Sequence, residues 1–233
     1  MSATGRGTER EPEDAYITPT WTVDRFVERY TLSIDKGAVV LDPCCAEGEL
    51  LTELHKLRPD LILIGFELRE ECRPALEKLV GAGVLKGFAI GSFMDLAKSI
   101  GDHEVGFVIS NPPYSLAQEF IETAERIAKV SIWLLRQNFL GATERAEFTD
   151  RTRPGLFTSP NRPSFTGWGG DATEYAWFVY GDNAYRGRWE PLALTPAAEI
   201  AAWNKAARAR YPHLNPKILK AKKKAAALAA AAA

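Results

Sequence analysis

The sequence predicts an α/β protein, a mostly parallel sheet with helices on both faces, and three patterns predict it. Short apolar runs rich in Val, Ile and Phe recur at strand length. The segments between them carry apolar residues three and four positions apart, the spacing of amphipathic helices. The two kinds of segment also alternate along the chain, which implies a parallel sheet covered on both faces.

In chain order, A-V-V-L-D (38–42) reads as the first strand and 47–57 as the helix behind it. L-I-L-I-G-F-E (61–67) is the second strand, 69–80 a helix, 84–90 the third strand and 94–100 a shorter helix. V-G-F-V-I-S (105–110) is the fourth strand, and A-Q-E-F-I-E-T-A-E-R-I-A after Tyr114 is its helix. V-S-I-W-L-L (130–135) is a fifth strand, with a further helix expected over 137–148. Strands alternating with helices in this way imply βαβ units. Residues 150–171 are dense in Pro, Gly and Arg and show no period, so they read as a long loop before the strand at 175–180. The organisation expected is a flexible N-terminus (1–15), a single domain (16–215) with an inserted basic and aromatic loop at about 149–172, and a Lys/Ala-rich tail (216–233).

At 233 residues, 46% hydrophobic and 25% charged, the chain is long enough to bury a core. Its start shows no apolar stretch of signal-peptide kind, and no run approaches the roughly 20 residues of a membrane span. A cytoplasmic protein with no membrane partner is expected. Cys44 and Cys45 are adjacent and Cys72 is alone, which is neither a disulfide framework nor a zinc spacing, and three scattered histidines add no metal motif.

The net charge of −1 hides an asymmetry: residues 1–125 hold 12 Lys and Arg against 22 Asp and Glu, and 126–233 hold 17 against 8. In the basic half Arg136, Arg145, Arg151, Arg153, Arg162, Arg186 and Arg188 are interleaved with Phe139, Phe148, Phe157, Phe165, Trp168 and Trp189. That mixture suits phosphate contact with base stacking, and equally a solvated surface over an aromatic core.

Ligands of open α/β sheets sit outside the carboxyl ends of the strands. Three strand ends carry chemistry here. The first, V-V-L-D-P-C-C-A-E-G-E-L (39–50), ends a strand in Asp42 and turns through Gly48 into a helix. The second ends in Glu67, 25 positions on, near the offset at which an acid holds ribose hydroxyls in nucleotide folds. The third is the tetrad Asn111-Pro112-Pro113-Tyr114 after the fourth strand.

D-P-x-x-x-x-G, the acid after the second strand and N-P-P-Y together resemble the S-adenosylmethionine-dependent amino-methyltransferases, specifically the small phage-type DNA N6-adenine methyltransferases. The resemblance covers roughly 16–180. Y-I-T-P-T-W-T-V-D (16–24) is similar to the T-P segment before the first motif of several of these enzymes, and R-P-S-F-T-G with the aromatic strand after it is similar to their R-P-x-F block. The family implies a class I methyltransferase Rossmann-like fold and S-adenosylmethionine as cofactor. Its cofactor residues would be Thr18, Pro19, Asp42, Pro43, Gly48, Glu67, Ser92 and Phe93. Phe165 would face the base, and Arg151, Arg153 and Arg162 would meet the nucleic acid. Two departures stand out. Ala46-Glu47-Gly48 replaces the usual pair of glycines, and G-S-F at 91–93 replaces G-D-F, with Asp95 as the nearby acid.

The tetrad has a physical reading of its own. An exocyclic aromatic amine is a poor nucleophile because its lone pair is delocalised into the ring. The Asn111 side-chain oxygen and the Pro112 carbonyl can accept its two N–H groups and draw the nitrogen toward tetrahedral geometry, while Tyr114 stacks on the base. Pro112 and Pro113 hold those acceptors stiffly. The expected reaction is transfer of a methyl group to the N6 amine of adenine in DNA, without metal or covalent intermediate. N-P-P-Y also serves enzymes acting on RNA adenine or protein glutamine, and a non-catalytic nucleic-acid-binding descendant is the remaining alternative.

Overall fold

The computed structural model describes residues 17–30, 35–169, 172–218, 220, 221 and 225. The expected flexible N-terminus, Tyr16 of the T-P segment and most of the Lys/Ala tail lie outside the described residues.

Eight strands form one sheet in the order β3-β2-β1-β4-β5-β7-β6-β8. β1 (Val39–Asp42), β2 (Ile62–Glu67), β3 (Gly87–Ile90), β4 (Val105–Ser110) and β5 (Ala128–Arg136) are mutually parallel. β7 (Tyr175–Tyr180) runs antiparallel beside β5, pairing Arg136 with Tyr175. β6 (Gly155–Thr158) is antiparallel to β7, and β8 (Trp189–Pro191) closes that edge. The strand order reverses between β1 and β4, the switch point where ligands gather in such sheets.

Alternation along the strands divides the core between two faces. Val40, Ile109, Ile132 and Leu134 point to the face covered by α1 (Thr20–Arg29), α2 (Glu49–Leu57) and α3 (Arg73–Gly81). Leu41, Val108, Trp133 and Leu135 point to the other, covered by α4 (Phe93–Leu96), α5 (Ala117–Ile127) and α6 (Ala146–Thr152). α5 shows why: Ala117, Phe120, Ile121, Ala124 and Ile127 fall on one stripe, and all are buried.

Three expectations need correction. The segment 137–148 is two short 3-10 turns, Gln137–Gly141 and Thr143–Arg145, before α6 begins at Ala146; Ala142 falls between them. The inserted loop is not structureless, for it contains the end of α6 and the strand β6. Four residues, G-L-F-T, are too few to show a period beside Pro154, and pairing with β7 and β8 makes them a strand. Finally, α7 (Ala197–Arg210) was not expected, because its Ala-rich sequence buries only Ala207 and has no apolar stripe. Among the described residues no helix is long and apolar enough to cross a membrane, and no group of three His, Cys, Asp or Glu residues is placed to hold a metal ion.

Candidate active site

The turn after β1 forms the first wall of the site. Two residues, Ala46 at φ 51° and Gly48 at φ 87°, hold left-handed backbone there, which glycine adopts freely and alanine does not. Gly48 also has no room for a side chain, since a Cβ would lie 2.3 Å from Leu79 Cδ1. The strained Ala46 is held from across the sheet: its N–H donates to Glu67 Oε2 at 2.7 Å, and Cys45 N–H donates to the Phe66 carbonyl at 2.8 Å.

Buried acid surrounds this turn. Asp42 is 2% exposed and Glu67 is 4% exposed. The Glu49 side chain, in the first turn of α2, is 11% exposed. Burial pushes the Asp42 carboxyl up to about 7; hydrogen bonds from Ser110 and Cys44 oppose that, and the charges of Glu67 and Glu49 add to it. Burial also raises Glu49, against the pull of Tyr211 and Arg210. Glu67 accepts from Arg69 N at 3.0 Å, Arg69 Nε at 2.9 Å and, more weakly, Arg69 Nη2 at 3.4 Å.

The tetrad is the second wall. Ser110, the last residue of β4, is fully buried and donates to Asp42 Oδ1 at 2.6 Å, and Cys44 Sγ lies 2.9 Å from its oxygen. The neighbouring parallel strands β1 and β4 are thus tied together where their loops diverge. Tyr114 O–H donates to Asn111 Oδ1 at 3.0 Å. The Tyr114 ring lies 5.8 Å from Tyr175, and the Arg136 guanidinium stands 5.1 Å from its centroid while Arg136 Nε donates to Tyr175 O–H at 3.1 Å. A narrow cavity joins the two walls, lined by Thr18, Asp42, Cys44, Cys45, Ala46, Glu49, Leu50 and Asn111.

The structure therefore brings together Thr18, Asp42, Gly48, Glu67, Asn111 and Tyr114 with their neighbours Pro43, Pro112 and Pro113. Pro19 adjoins them as the N-cap of α1, where its carbonyl accepts from Thr22 N at 2.9 Å and Thr22 Oγ1 at 2.6 Å. Ser92 stands half-buried beyond β3, next to Gly91, whose N–H donates to the Glu67 carbonyl at 2.8 Å. Phe93 is turned away into the core, 5.0 Å from Phe120. Asp95 faces solvent, paired with Lys98 at 2.6 Å, and does not stand in for the missing third-motif acid.

Phe165 is 4% exposed and packs edge-on against Tyr175 at 5.0 Å, so Tyr175 stands between it and Tyr114. Arg162 pairs with Glu174, just before β7, at the site's end of the sheet. Arg151 and Arg153 are paired away from the tetrad: Arg151 bonds Glu125 near the end of α5 at 3.1 Å, just before β5 begins, and Arg153 bonds Asp150 at 2.7 Å. Phe139, Phe148 and Phe157 are core residues, whereas Trp168 is 39% and Trp189 65% exposed.

Sequence reasoning missed Ser110, Cys44, Glu49, Tyr175 and the particular place of Arg136. The rule that selected Asn111 also applies to the end of the fifth strand, where V-S-I-W-L-L is followed by Arg136. Tyr175 had no such signal, since only the antiparallel pairing with β5 brings it there.

No protein-family model and no curated protein matches the chain. Among solved structures it is similar to a candidate RNA methyltransferase from Pyrococcus horikoshii, at TM-score 0.57 and 18% identity over 74% of this chain and 88% of that one. A Listeria monocytogenes protein described as a candidate class I S-adenosylmethionine-dependent methyltransferase aligns at TM-score 0.51 and 18% identity, over 79% of this chain and 68% of that one. The precorrin-6y C5,15-methyltransferase of Geobacter metallireducens aligns at TM-score 0.50 and 14% identity, over 74% and 93%. The fold is that of the class I methyltransferases. It is the fold expected from the strand-end motifs.

Proposed function

We propose that this chain transfers a methyl group from S-adenosylmethionine to the exocyclic N6 amine of adenine in DNA. The observation that carries the reading is the tetrad at the end of β4, beside the acid-lined turn of β1 and bonded to it through Ser110 and Asp42.

The residues present fit the cofactor. Asp42, Glu49 and Glu67 are buried carboxylates around one turn; Glu67 is paired with Arg69 and Glu49 with Arg210, whereas the raised Asp42 accepts from the neutral donors Ser110 O–H and Cys44 N–H and gains from added positive charge. A ligand carrying an ammonium and a sulfonium supplies that charge. Asp42 and Glu49 would hold the methionine amine, Thr18 and Pro19 would close over its carboxylate, and Ser92 would lie by the adenine. Glu67 would take the ribose diol, a hydroxyl replacing the 3.4 Å contact to Arg69 Nη2, the longest of those it accepts. When bound, the cofactor would supply an electrophilic methyl carbon whose bond to sulfur breaks, with the electron pair left on sulfur, as the amine nitrogen bonds to carbon and then gives up one of its two protons to solvent.

The chain's own residues prepare that nitrogen. Asn111 Oδ1, which accepts from Tyr114 O–H, would accept one amine N–H. The Pro112 carbonyl accepts the other. With both N–H groups held, the lone pair is aimed rather than spread into the ring, and preorganisation of this kind supplies much of an enzyme's acceleration. Tyr114 stacks on the base, which must leave its duplex at a cost of a few kcal/mol. Arg162, paired with Glu174 just before β7, would meet the backbone.

An RNA adenine is the second reading, favoured by the likeness to the Pyrococcus horikoshii protein. Expression with labelled cofactor, followed by digestion and mass spectrometry of plasmid DNA, total RNA and protein, separates the two. N6-methyladenine in DNA is the expected product. Label confined to RNA selects the second reading, and label confined to protein or no cofactor binding overturns both.

A further inference from the structure

Resting on that reading of the tetrad, we propose that Arg136 is a positioning residue that sets the Tyr114 ring for the incoming base, acting through Tyr114 and anchored by Tyr175.

The argument begins with what holds Tyr114. Its hydroxyl bonds Asn111 Oδ1, its ring meets Tyr175 at a tilt of 49°, and the Arg136 guanidinium covers the ring at 5.1 Å. The first attachment is the vulnerable one, because the target amine competes for the same oxygen. When that bond weakens, the contacts with Tyr175 and Arg136, which do not involve Asn111, still hold the ring. A guanidinium is flat, permanently charged and stacks on aromatic faces.

Arg136 is itself fixed in direction. It ends β5, the strand next to β4, and sits opposite Tyr175 in the antiparallel register. Its Nε donates to the Tyr175 hydroxyl at 3.1 Å, and Tyr175 is fully buried with Phe165 against its ring. The chain of contact runs from core through Tyr175 and Arg136 to the face of Tyr114. The exposed arginines of α6 lack any such line to the tetrad.

A double-mutant cycle tests this. Arg136→Ala, Arg136→Lys and Tyr175→Phe are each made in the wild type and in Tyr114→Ala, and KM and kcat on plasmid DNA and total RNA, cofactor Kd and melting temperature are measured. Arg136→Ala is expected to raise KM by about 3- to 30-fold, the range of a partly desolvated cation–π contact, with cofactor Kd unchanged. Its effect should vanish in Tyr114→Ala, since the ring through which it acts is gone. Arg136→Lys should recover part of the loss and Tyr175→Phe should cause a smaller one.

Equal effects of Arg136→Ala with and without Tyr114 overturn the proposal, because they mean that Arg136 touches the nucleic acid directly. A fall in KM overturns it too, by making the guanidinium a place-holder for the base. So does a lowered melting temperature with unaltered kinetics. If the wild type methylates neither nucleic acid, the function itself fails and takes this inference with it, an outcome distinct from an additive cycle in an active enzyme.

Discussion

The turn after β1 and the tetrad after β4 leave neighbouring parallel strands at the same end of the sheet, but they are built on opposite principles. The first turns through two left-handed residues and gathers buried carboxylates, among which Asp42 is raised by burial and by the charges of Glu67 and Glu49. The second is stiffened by two prolines, and its polar side chains satisfy each other, Tyr114 bonding Asn111. One is electrostatically incomplete and conformationally strained. The other is preformed. A site that must recruit a charged cofactor gains by being incomplete, because the ligand relieves the repulsion as it binds. A site that must aim a lone pair gains by being fixed beforehand.

The comparison is broken most sharply at Asn111. If the tetrad serves the reaction and not cofactor recruitment, Asn111→Ala should lower the single-turnover methylation rate by about 10²-fold or more, the range for losing one preorganised polar group. Cofactor Kd measured by calorimetry should stay within about threefold, a difference below 1 kcal/mol. A destabilised variant with an intact rate would make Asn111 a turn residue only.

The next effect belongs to the acid turn and depends on pH. Asp42 titrates near 7 in the fold, above its ordinary 3.8, chiefly through burial. A carboxyl raised by folding contributes stability that is full below its ordinary value and is lost as pH rises through about 7. Asp24, raised to about 6 mainly by burial, acts with the same sign. The ligand-free protein should therefore melt higher on the acid side of 7 than on the alkaline side. Cofactor affinity should run the other way, falling by up to about tenfold per pH unit below 7 as Asp42 takes up its proton. Calorimetry across this range checks the affinity arm, and a pH-independent Kd would remove Asp42 from the cofactor site.

How much of this contrast was legible in the sequence depends on range. D-P-C-C-A-E-G and N-P-P-Y announce themselves because their chemistry lies in consecutive residues at the end of an apolar run. Ser110 was inside the quoted fourth strand, but its bond to Asp42 spans 68 positions and needs the parallel pairing of β1 with β4. Arg151 and Arg153 show the converse. Their composition matched a nucleic-acid face, yet Arg151 is paired with Glu125 at the end of α5 and Arg153 with Asp150 of its own helix.

A smaller effect sharpens the strain side of the comparison. Gly48→Ala places a Cβ at left-handed φ and 2.3 Å from Leu79 Cδ1, which must move. The left-handed conformation alone costs an L-residue about 1–2 kcal/mol. Urea unfolding should show a loss of that order, with cofactor Kd raised because α2 begins there. An unchanged midpoint would mean that the turn re-forms by another route.

The smallest effect is expected at the Tyr114 hydroxyl, and it decides whether the tetrad is preformed or merely paired while idle. Tyr114→Phe keeps the π-face, the Arg136 contact and the approach to Tyr175, and deletes only the donor to Asn111 Oδ1. That removes a neutral hydrogen bond worth about 0.5–1.5 kcal/mol at a half-buried position. If the bond orients the Asn111 amide, the single-turnover rate should fall by a matching factor of about 2 to 12, with substrate KM nearly constant because stacking is retained. If instead the hydroxyl blocks the oxygen that the amine needs, the rate should rise and KM should fall. Tyr114→Ala provides the scale for both, since loss of the ring should depress affinity and rate together. A Phe variant as impaired as the Ala variant would place the function of Tyr114 in its hydroxyl and would contradict the stacking role.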